Sequence, residues 1–206
     1  MKPKAVVFDI GNVLIEWLPE RFYDAVIGEE RRGALFRTVE LHAMNDRVDR
    51  GADFHDEVMR LADATPEWTD EIAMWHDRWL DIATPVIPHS VRLMKALQAK
   101  GVPVFSLTNF GIGTYDLAMT VYPFLGEFDR DFISGHMQAV KPQPQIYEKL
   151  ERTSGLSGDE LIFTDDRHEN IDAAAQRGWQ THLFEGPEGW AARLVAAGLL
   201  TQAEAT

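Results

Sequence analysis

The sequence predicts an α/β protein: a doubly wound parallel sheet with an all-helical segment inserted near its start. Three observations predict it. Short apolar runs recur along the chain, with the length and composition of buried parallel strands. From residue 89 onward these runs alternate with amphipathic stretches of helical spacing. Residues 16–84, by contrast, carry helical periodicity and many aromatics (Trp17, Phe22, Tyr23, Phe36, Phe54, Trp68, Trp75, Trp79) but no strand-like run. Strand and helix in alternation imply a parallel, layered α/β sheet.

The elements follow in order. Residues 5–9 form a strand, Ala5-Val6-Val7-Phe8, ending in Asp9. Within the helical block, Thr65 and Pro66 mark a helix start, as N-cap and first helical residue. Pro85 and Pro88 punctuate the end of the block. A helix over 89–99 buries Val91, Leu93, Met94 and Leu97 and stops at Gly101. A strand over 102–107 ends in Thr108-Asn109, and a helix follows over 113–121. Residues 132–134 form a short strand, and 143–153 a helix carrying Ile146, Tyr147 and Leu150. The strand 161–164 delivers Asp165-Asp166 and is followed by a helix over 169–177, closed by Gly178. A strand over 181–184 and a helix over 190–197 complete the pattern, giving about five parallel strands. The α/β core thus comprises residues 1–15 and 86–206, with a helical cap at 16–85.

Composition narrows the function. Hydrophobic content of 45% and charged content of 26% fit a soluble globular chain with a full core. Acidic residues outnumber basic ones by 33 to 20, a net charge of −13. That argues against a nucleic-acid or anionic-membrane surface, which needs clustered Lys and Arg. A small anionic substrate stays open, because a local site can be positive on an acidic protein. With no cysteine, the chain has no disulfide framework, thiolate nucleophile or Cys-ligated zinc. The start, Met1-Lys2-Pro3-Lys4, leads straight into a strand, and no signal peptide or membrane span is expected. The expected location is cytoplasmic.

The chemistry gathers where two strands end in acids. In an open α/β sheet, ligands bind outside the carboxyl ends of the strands. Asp9 and the pair Asp165-Asp166 therefore converge. Like charges that close repel, and hard oxygen ligands favour Mg²⁺ as the remedy. Taken singly, each residue has a plainer reading. Asp9 suits a turn, Asp165-Asp166 a helix start, and Lys141 a solvated surface. Their joint placement overturns these readings.

Four pieces line up: Val6-Val7-Phe8-Asp9-Ile10-Gly11-Asn12-Val13-Leu14, Phe105-Ser106-Leu107-Thr108-Asn109, Lys141-Pro142, and Phe163-Thr164-Asp165-Asp166-Arg167 with Asn170 following. In this order, with an inserted helical segment after the first, the chain resembles the haloacid dehalogenase-like hydrolase superfamily over its whole length. The resemblance implies that Asp9 is a nucleophile forming an aspartyl-phosphate. It implies Mg²⁺ held by Asp9, the Gly11 carbonyl and Asp166, with Asp165 close by or ligating. Gly11, Asn12, Thr108, Asn109 and Lys141 would surround the phosphate, with Thr108 donating its hydroxyl and Asn109 its backbone N–H. Lys141 would stabilise charge in transfer. The implied substrate is a small phosphorylated metabolite, in the class of sugar phosphates.

One departure matters. The superfamily's phosphatases carry a second aspartate two residues after the nucleophile, as general acid and base. That position here is Gly11. General acid–base help is worth about 10²–10⁴ in rate. Members with the same Asp-x-Gly-Asn-Val pattern nonetheless resemble phosphatases of sugar phosphates such as glucose 1-phosphate. Glu16 is offered as a substitute proton carrier. A rival reading is the dehalogenase branch, metal-free and attacking carbon. It is disfavoured because Asp165 and Asp166 would be buried unpaired. A third is a catalytically weak protein that binds a phosphorylated metabolite. Gly111-Ile112-Gly113 reads as a turn, His168 as surface, Asn170 as able to orient the acids, and Trp75 and Trp79 as cap core. Arg31, Arg32, Arg47 and Arg50 read as solvated.

Overall fold

The computed structural model describes residues 2–206. The chain begins with β1 (Ala5–Phe8), all of whose residues are buried. A helical block follows: α1 (Pro19–Ile27), α2 (Glu29–Thr38), α3 (Leu41–Asp49), α4 (Phe54–Ala64), α5 (Thr69–Asp77) and α6 (Trp79–Ile82). The α/β pattern then runs through α7 (Pro88–Ala99), β2 (Val104–Ser106), α8 (Ile112–Met119), α9 (Ser134–Met137) and α10 (Pro144–Ser154). It ends with β3 (Leu161–Asp165), α11 (His168–Gln176), β4 (Gln180–Leu183) and α12 (Pro187–Ala196).

The strands form one parallel sheet in the order β2-β1-β3-β4. The chain leaves β1 to build β2 on one side and returns to build β3 on the other. The strand order therefore switches direction next to β1, which opens a crevice at the carboxyl ends. Alternate residues of each strand face opposite layers. Val6, Phe8, Val104 and Ile162 pack with Leu93, Met94 and Leu97 of α7 and Trp190 and Leu194 of α12. Ala5, Val7, Phe105, Leu161 and Phe163 pack with Ile146, Tyr147 and Leu150 of α10 and with Ile171 and Ala174 of α11. Both faces of the central strands are covered, so β1 and the first three residues of β3 read as unbroken apolar runs. Phe8 alone, fully buried and edge-on to Trp190 at 5.6 Å, contributes about 2–3 kcal/mol.

Two expectations change in detail. The short strand at 132–134 is reduced to isolated bridges, Phe105 with Arg130 and Thr108 with Ile133. The segment still exchanges backbone hydrogen bonds with the β2 edge, but it is interrupted at once by α9. Four strands therefore stand among the described residues instead of five. The start at Pro66 is a 3₁₀ turn, Pro66–Trp68, and the Thr65 hydroxyl bonds back to Leu61 O at 2.7 Å instead of capping forward. Among the described residues no helix is long and apolar enough to cross a membrane.

The helical block shares a core with the sheet. One apolar cluster runs from Val6 and Phe8 through Val13 and Leu14 to Tyr23, Met44, Val48, Trp75 and Trp79. On α3 the buried residues are Leu41, Met44 and Val48, at three- and four-residue spacing. This stripe turns the remaining face of α3, with Asn45 and Asp49, toward the crevice at the sheet's carboxyl edge.

Candidate active site

Strand register sets the site. Phe8 pairs with Thr164 and with Ser106, so the residues just beyond lie side by side. The backbone N–H of Asp9 donates to Thr164 O at 3.0 Å, and that of Leu107 to Phe8 O at 2.8 Å. Asp9, Asp165 and Thr108 thus leave adjacent strand ends together. Carboxylate oxygens of Asp9, Asp165 and Asp166 lie within 4.8 Å of one another.

Lys141 ties two of these acids. Its Nζ is 2.9 Å from Asp9 Oδ1 and 2.6 Å from Asp165 Oδ2, and its side chain is 1% exposed. The Asn109 side chain clamps the Lys141 backbone at two points. Its amide donates to Lys141 O at 3.0 Å, and its carbonyl accepts from Lys141 N at 2.8 Å. Asp165 is saturated: besides Lys141 it accepts from Asn170 Nδ2 at 2.9 and 3.0 Å and from Arg167 N at 2.8 Å. Asn170, in the first turn of α11, therefore orients this acid. Asp9 Oδ1 also accepts from Ile10 N at 2.8 Å. Oδ2 of Asp9 accepts no hydrogen bond among the described residues.

Asn12 sits at φ 55°, a left-handed conformation that Asn tolerates. Its side chain joins two partners, donating to Asp166 Oδ2 at 3.0 Å and accepting from Trp17 N at 2.8 Å. Thr108 is buried, and its hydroxyl faces the cavity without a hydrogen bond among the described residues. Gly11 has a φ that any residue adopts, and a Cβ built there would meet only Trp17 Cβ at 3.9 Å. Neither strain nor space requires glycine at that position.

The electrostatics favour a bound cation. Burial, and then the neighbouring Asp165 and Asp166, raise the Asp9 carboxyl to about 7 against the pull of Lys141. Burial also raises Asp166. Burial alone would lower Lys141, but Asp165 and Asp9 outweigh it and keep the ammonium charged. Three carboxylates against one ammonium leave a formal charge of −2 when all are ionised. A divalent ion with hard oxygen ligands fits both the charge and the donor set. Asp166 and Asp9 retain oxygens for it, whereas Asp165 already accepts four hydrogen bonds from three donors.

A cavity of about 310 Å³ opens over these groups. Asp9, Gly11, Asn12, Thr108, Asn109, Lys141 and Asp166 line its floor. The helical block supplies Trp17, Glu20, His42, Asn45, Asp46, Asp49 and Trp79 above. Glu16 lines the wall, but its carboxylate is ion-paired with Arg21. Trp75 is wholly buried in the core, and Trp79 both packs there and reaches the cavity beside Phe110 at 5.5 Å. His168 is exposed. Arg31 and Arg47 are engaged by Glu71 and Glu57, away from the cavity.

Sequence reasoning missed Asp49. It is half-buried, and its carboxyl is raised to about 7 by burial, then by Asp46 and Asp9. One signal was available: an acid in the last turn of a helix, where the helix dipole favours a base.

A family model described as haloacid dehalogenase-like hydrolase matches residues 3–178. The sesquiterpene phosphatase astK of Aspergillus oryzae is 26% identical over 172 residues, covering 83% of this chain and 84% of the fungal protein. The HAD family enzyme BT-2542 of Bacteroides thetaiotaomicron superposes with a TM-score of 0.73 at 20% identity, over 94% of this chain and 99% of that one. A further structure of that enzyme is a complex with magnesium and inorganic phosphate. The L-2-haloacid dehalogenase of Xanthobacter autotrophicus, with chloropropionic acid covalently bound, superposes with a TM-score of 0.60 at 18% identity, over 98% of this chain and 86% of that one. At such identities the solved structures establish a shared fold.

Proposed function

The chain belongs to the haloacid dehalogenase-like hydrolases, and from that premise we propose that it is a Mg²⁺-dependent phosphomonoester hydrolase acting through a phospho-Asp9 intermediate. The observation that carries this reading is the acid cluster with its single lysine. A metal-free site that attacks carbon has no use for two uncompensated negative charges, and burying them is costly. The distant sesquiterpene phosphatase supports phosphate chemistry as well.

Asp9, Asp166 and the Gly11 carbonyl would hold the metal, which when bound offsets the repulsion between Asp9 and the phosphoryl group and orients the latter. Lys141 fixes Asp9 Oδ1, which leaves Oδ2 free to attack phosphorus. The bond from phosphorus to the ester oxygen breaks as the new bond to Oδ2 forms. The Thr108 hydroxyl and the Asn109 backbone N–H would bind phosphoryl oxygens, and Lys141 would meet the charge that accumulates there. Water then releases phosphate from Asp9.

Residues 16–85 act in this reading as a cap over the 1–15 and 86–206 core. Closure would exclude water during transfer, and opening would release product. The substrate is a small phosphorylated metabolite. A cavity of about 310 Å³ lies at the small end for ligand sites. Glu20, Asn45 and Asp46 on its upper wall suit the hydroxyls of a sugar phosphate better than an apolar chain.

Phosphate release from p-nitrophenyl phosphate and a panel of sugar phosphates tests the proposal, with Mg²⁺ or EDTA, for wild type and Asp9→Asn. Turnover is expected to require both the metal and Asp9. Halide release from 2-chloropropionate that persists in EDTA, without phosphate release, would overturn it.

A further inference from the structure

We propose that Asp49, contributed by the helical block, is the proton carrier of this hydrolase, in place of the carboxylate absent at Gly11. The inference rests on the phosphatase reading and deepens it. Three observations on geometry and one on charge carry it.

First, Asp49 and Asp9 line the same cavity, one from the end of α3 and the other from the end of β1. Gly11 leaves the position two residues after Asp9 without a carboxyl, although a side chain would fit there. Second, Asp49 is held in place. Asn45 Nδ2 donates to its Oδ2 at 3.0 Å, and the Gly111 backbone N–H donates to the same carboxylate. Ser134 Oγ donates to the Asp49 main-chain carbonyl at 2.6 Å. Third, the end of α3 is seated on the core by close backbone approaches. A Cβ on Gly111 would fall 2.4 Å from Val48 Cγ1, and one on Gly51 would fall 2.9 Å from Gly135 O. Asp49 is thus anchored to the core loops although its helix belongs to the inserted block. Fourth, the charge of Asp49 is placed against its own helix. An acid in the last turn of a helix opposes the helix dipole. The charged groups facing it are Asp46 on its own helix, Asp9 beyond β1 and Lys141 before α10. Burial and the two acids favour its neutral form, which a general acid requires near neutral pH.

The proton balance closes over two steps. As Asp9 Oδ2 bonds to phosphorus and the ester P–O bond breaks, the Asp49 carboxyl gives its proton to the departing alkoxide. The alcohol leaves, and the Asp49 carboxylate then takes a proton from water as the oxygen of that water attacks phosphorus. The bond from phosphorus to Asp9 breaks, inorganic phosphate departs, and Asp49 is again protonated.

Leaving-group dependence tests this. p-Nitrophenolate departs without a proton, whereas the alkoxide of glucose 6-phosphate needs one. For Asp49→Asn, kcat on glucose 6-phosphate is expected to fall about 10²–10⁴-fold, while formation of phospho-Asp9 from p-nitrophenyl phosphate is nearly kept. Its hydrolysis should slow, so rapid mixing should show a burst of p-nitrophenolate that wild type lacks. Asp49→Glu should recover part of the alkyl-phosphate rate. Equal losses on both substrates without a burst, or no loss on either, would overturn the role of Asp49 while wild-type turnover left the phosphatase reading standing. No phosphate release by wild type from any ester would overturn that reading, and this inference with it.

Discussion

Asp49 carries a consequence for stability that is separate from its chemistry. Its carboxyl titrates at about 7 in the folded chain, raised by burial and by Asp46 from an ordinary value of 3.8. Below the lower value both folded and unfolded chains hold the proton, and the residue is neutral toward folding. As pH rises between the two values, only the unfolded chain releases its proton, so folding stability is lost until the folded carboxyl ionises as well. Asp49→Asn removes this loss. The variant should gain on wild type by about 1–2 kcal/mol between pH 5 and pH 8, after allowance for the solvent a half-buried carboxyl still meets. Urea midpoints at the two pH values check it, and a difference that stays constant would show that Asp49 is not held protonated. The other site residues were legible because each is tied to a strand end or to a short motif. Asn170 was legible as an orienting group, and it does bond both oxygens of Asp165. Asp49 was not, because it is one of 33 acids and its position depends on Ser134, 85 residues away.

At the scale of elements, strand runs were easier to find than their limits. β1 and β3 are buried on both faces, so β1 and the first three residues of β3 are apolar and the run itself announces the strand. The run at 132–134 looks the same but meets the sheet at its β2 edge, where α9 cuts it short after isolated bridges. Local pattern carries no information about which edge a strand will reach or which element will crowd it there. The docking of α3 is a similar case. It depends on Gly111 and Gly51, whose missing side chains matter only once two distant segments touch. Gly111-Ile112-Gly113 read as a turn, but Gly111 is the N-cap of α8 and the other two lie in its first turn, and nothing in the sequence marks Gly111 as the floor under Val48. Gly111→Ala therefore places a methyl 2.4 Å from Val48 Cγ1 and 3.1 Å from Val48 O. It should destabilise the fold by about 1–3 kcal/mol, as overpacking does. It should also lower turnover of alkyl phosphates more than that of p-nitrophenyl phosphate, because α3 and Asp49 move together. Chemical denaturation and paired kinetics read the two effects, and an unshifted midpoint would show that the contact yields easily.

For the whole molecule, the acid cluster is one part of a chain with net charge −13. Two kinds of cation effect must therefore be separated. Any salt screens the general repulsion among exposed charges, and it does so without regard to ion identity. A site built from Asp9 and Asp166, with Lys141 unable to neutralise all three acids, should prefer Mg²⁺ specifically. Because unfolding separates β1 from β3, only the folded chain presents both proposed ligands, and Mg²⁺ held there should stabilise it by mass action. At a hundredfold excess over the dissociation constant that is about 2.7 kcal/mol, or roughly 5–10 °C in Tm for a chain of this size. KCl at matched ionic strength should give much less. Asp166→Asn should remove most of the Mg²⁺ shift. Before any metal is added it should melt above wild type, since it relieves repulsion in a pocket where burial already raises the Asp166 carboxyl. Equal shifts from Mg²⁺ and KCl, or an Asp166→Asn variant with the full Mg²⁺ shift, would show that the acids pair with Lys141 alone and that the cluster binds no metal.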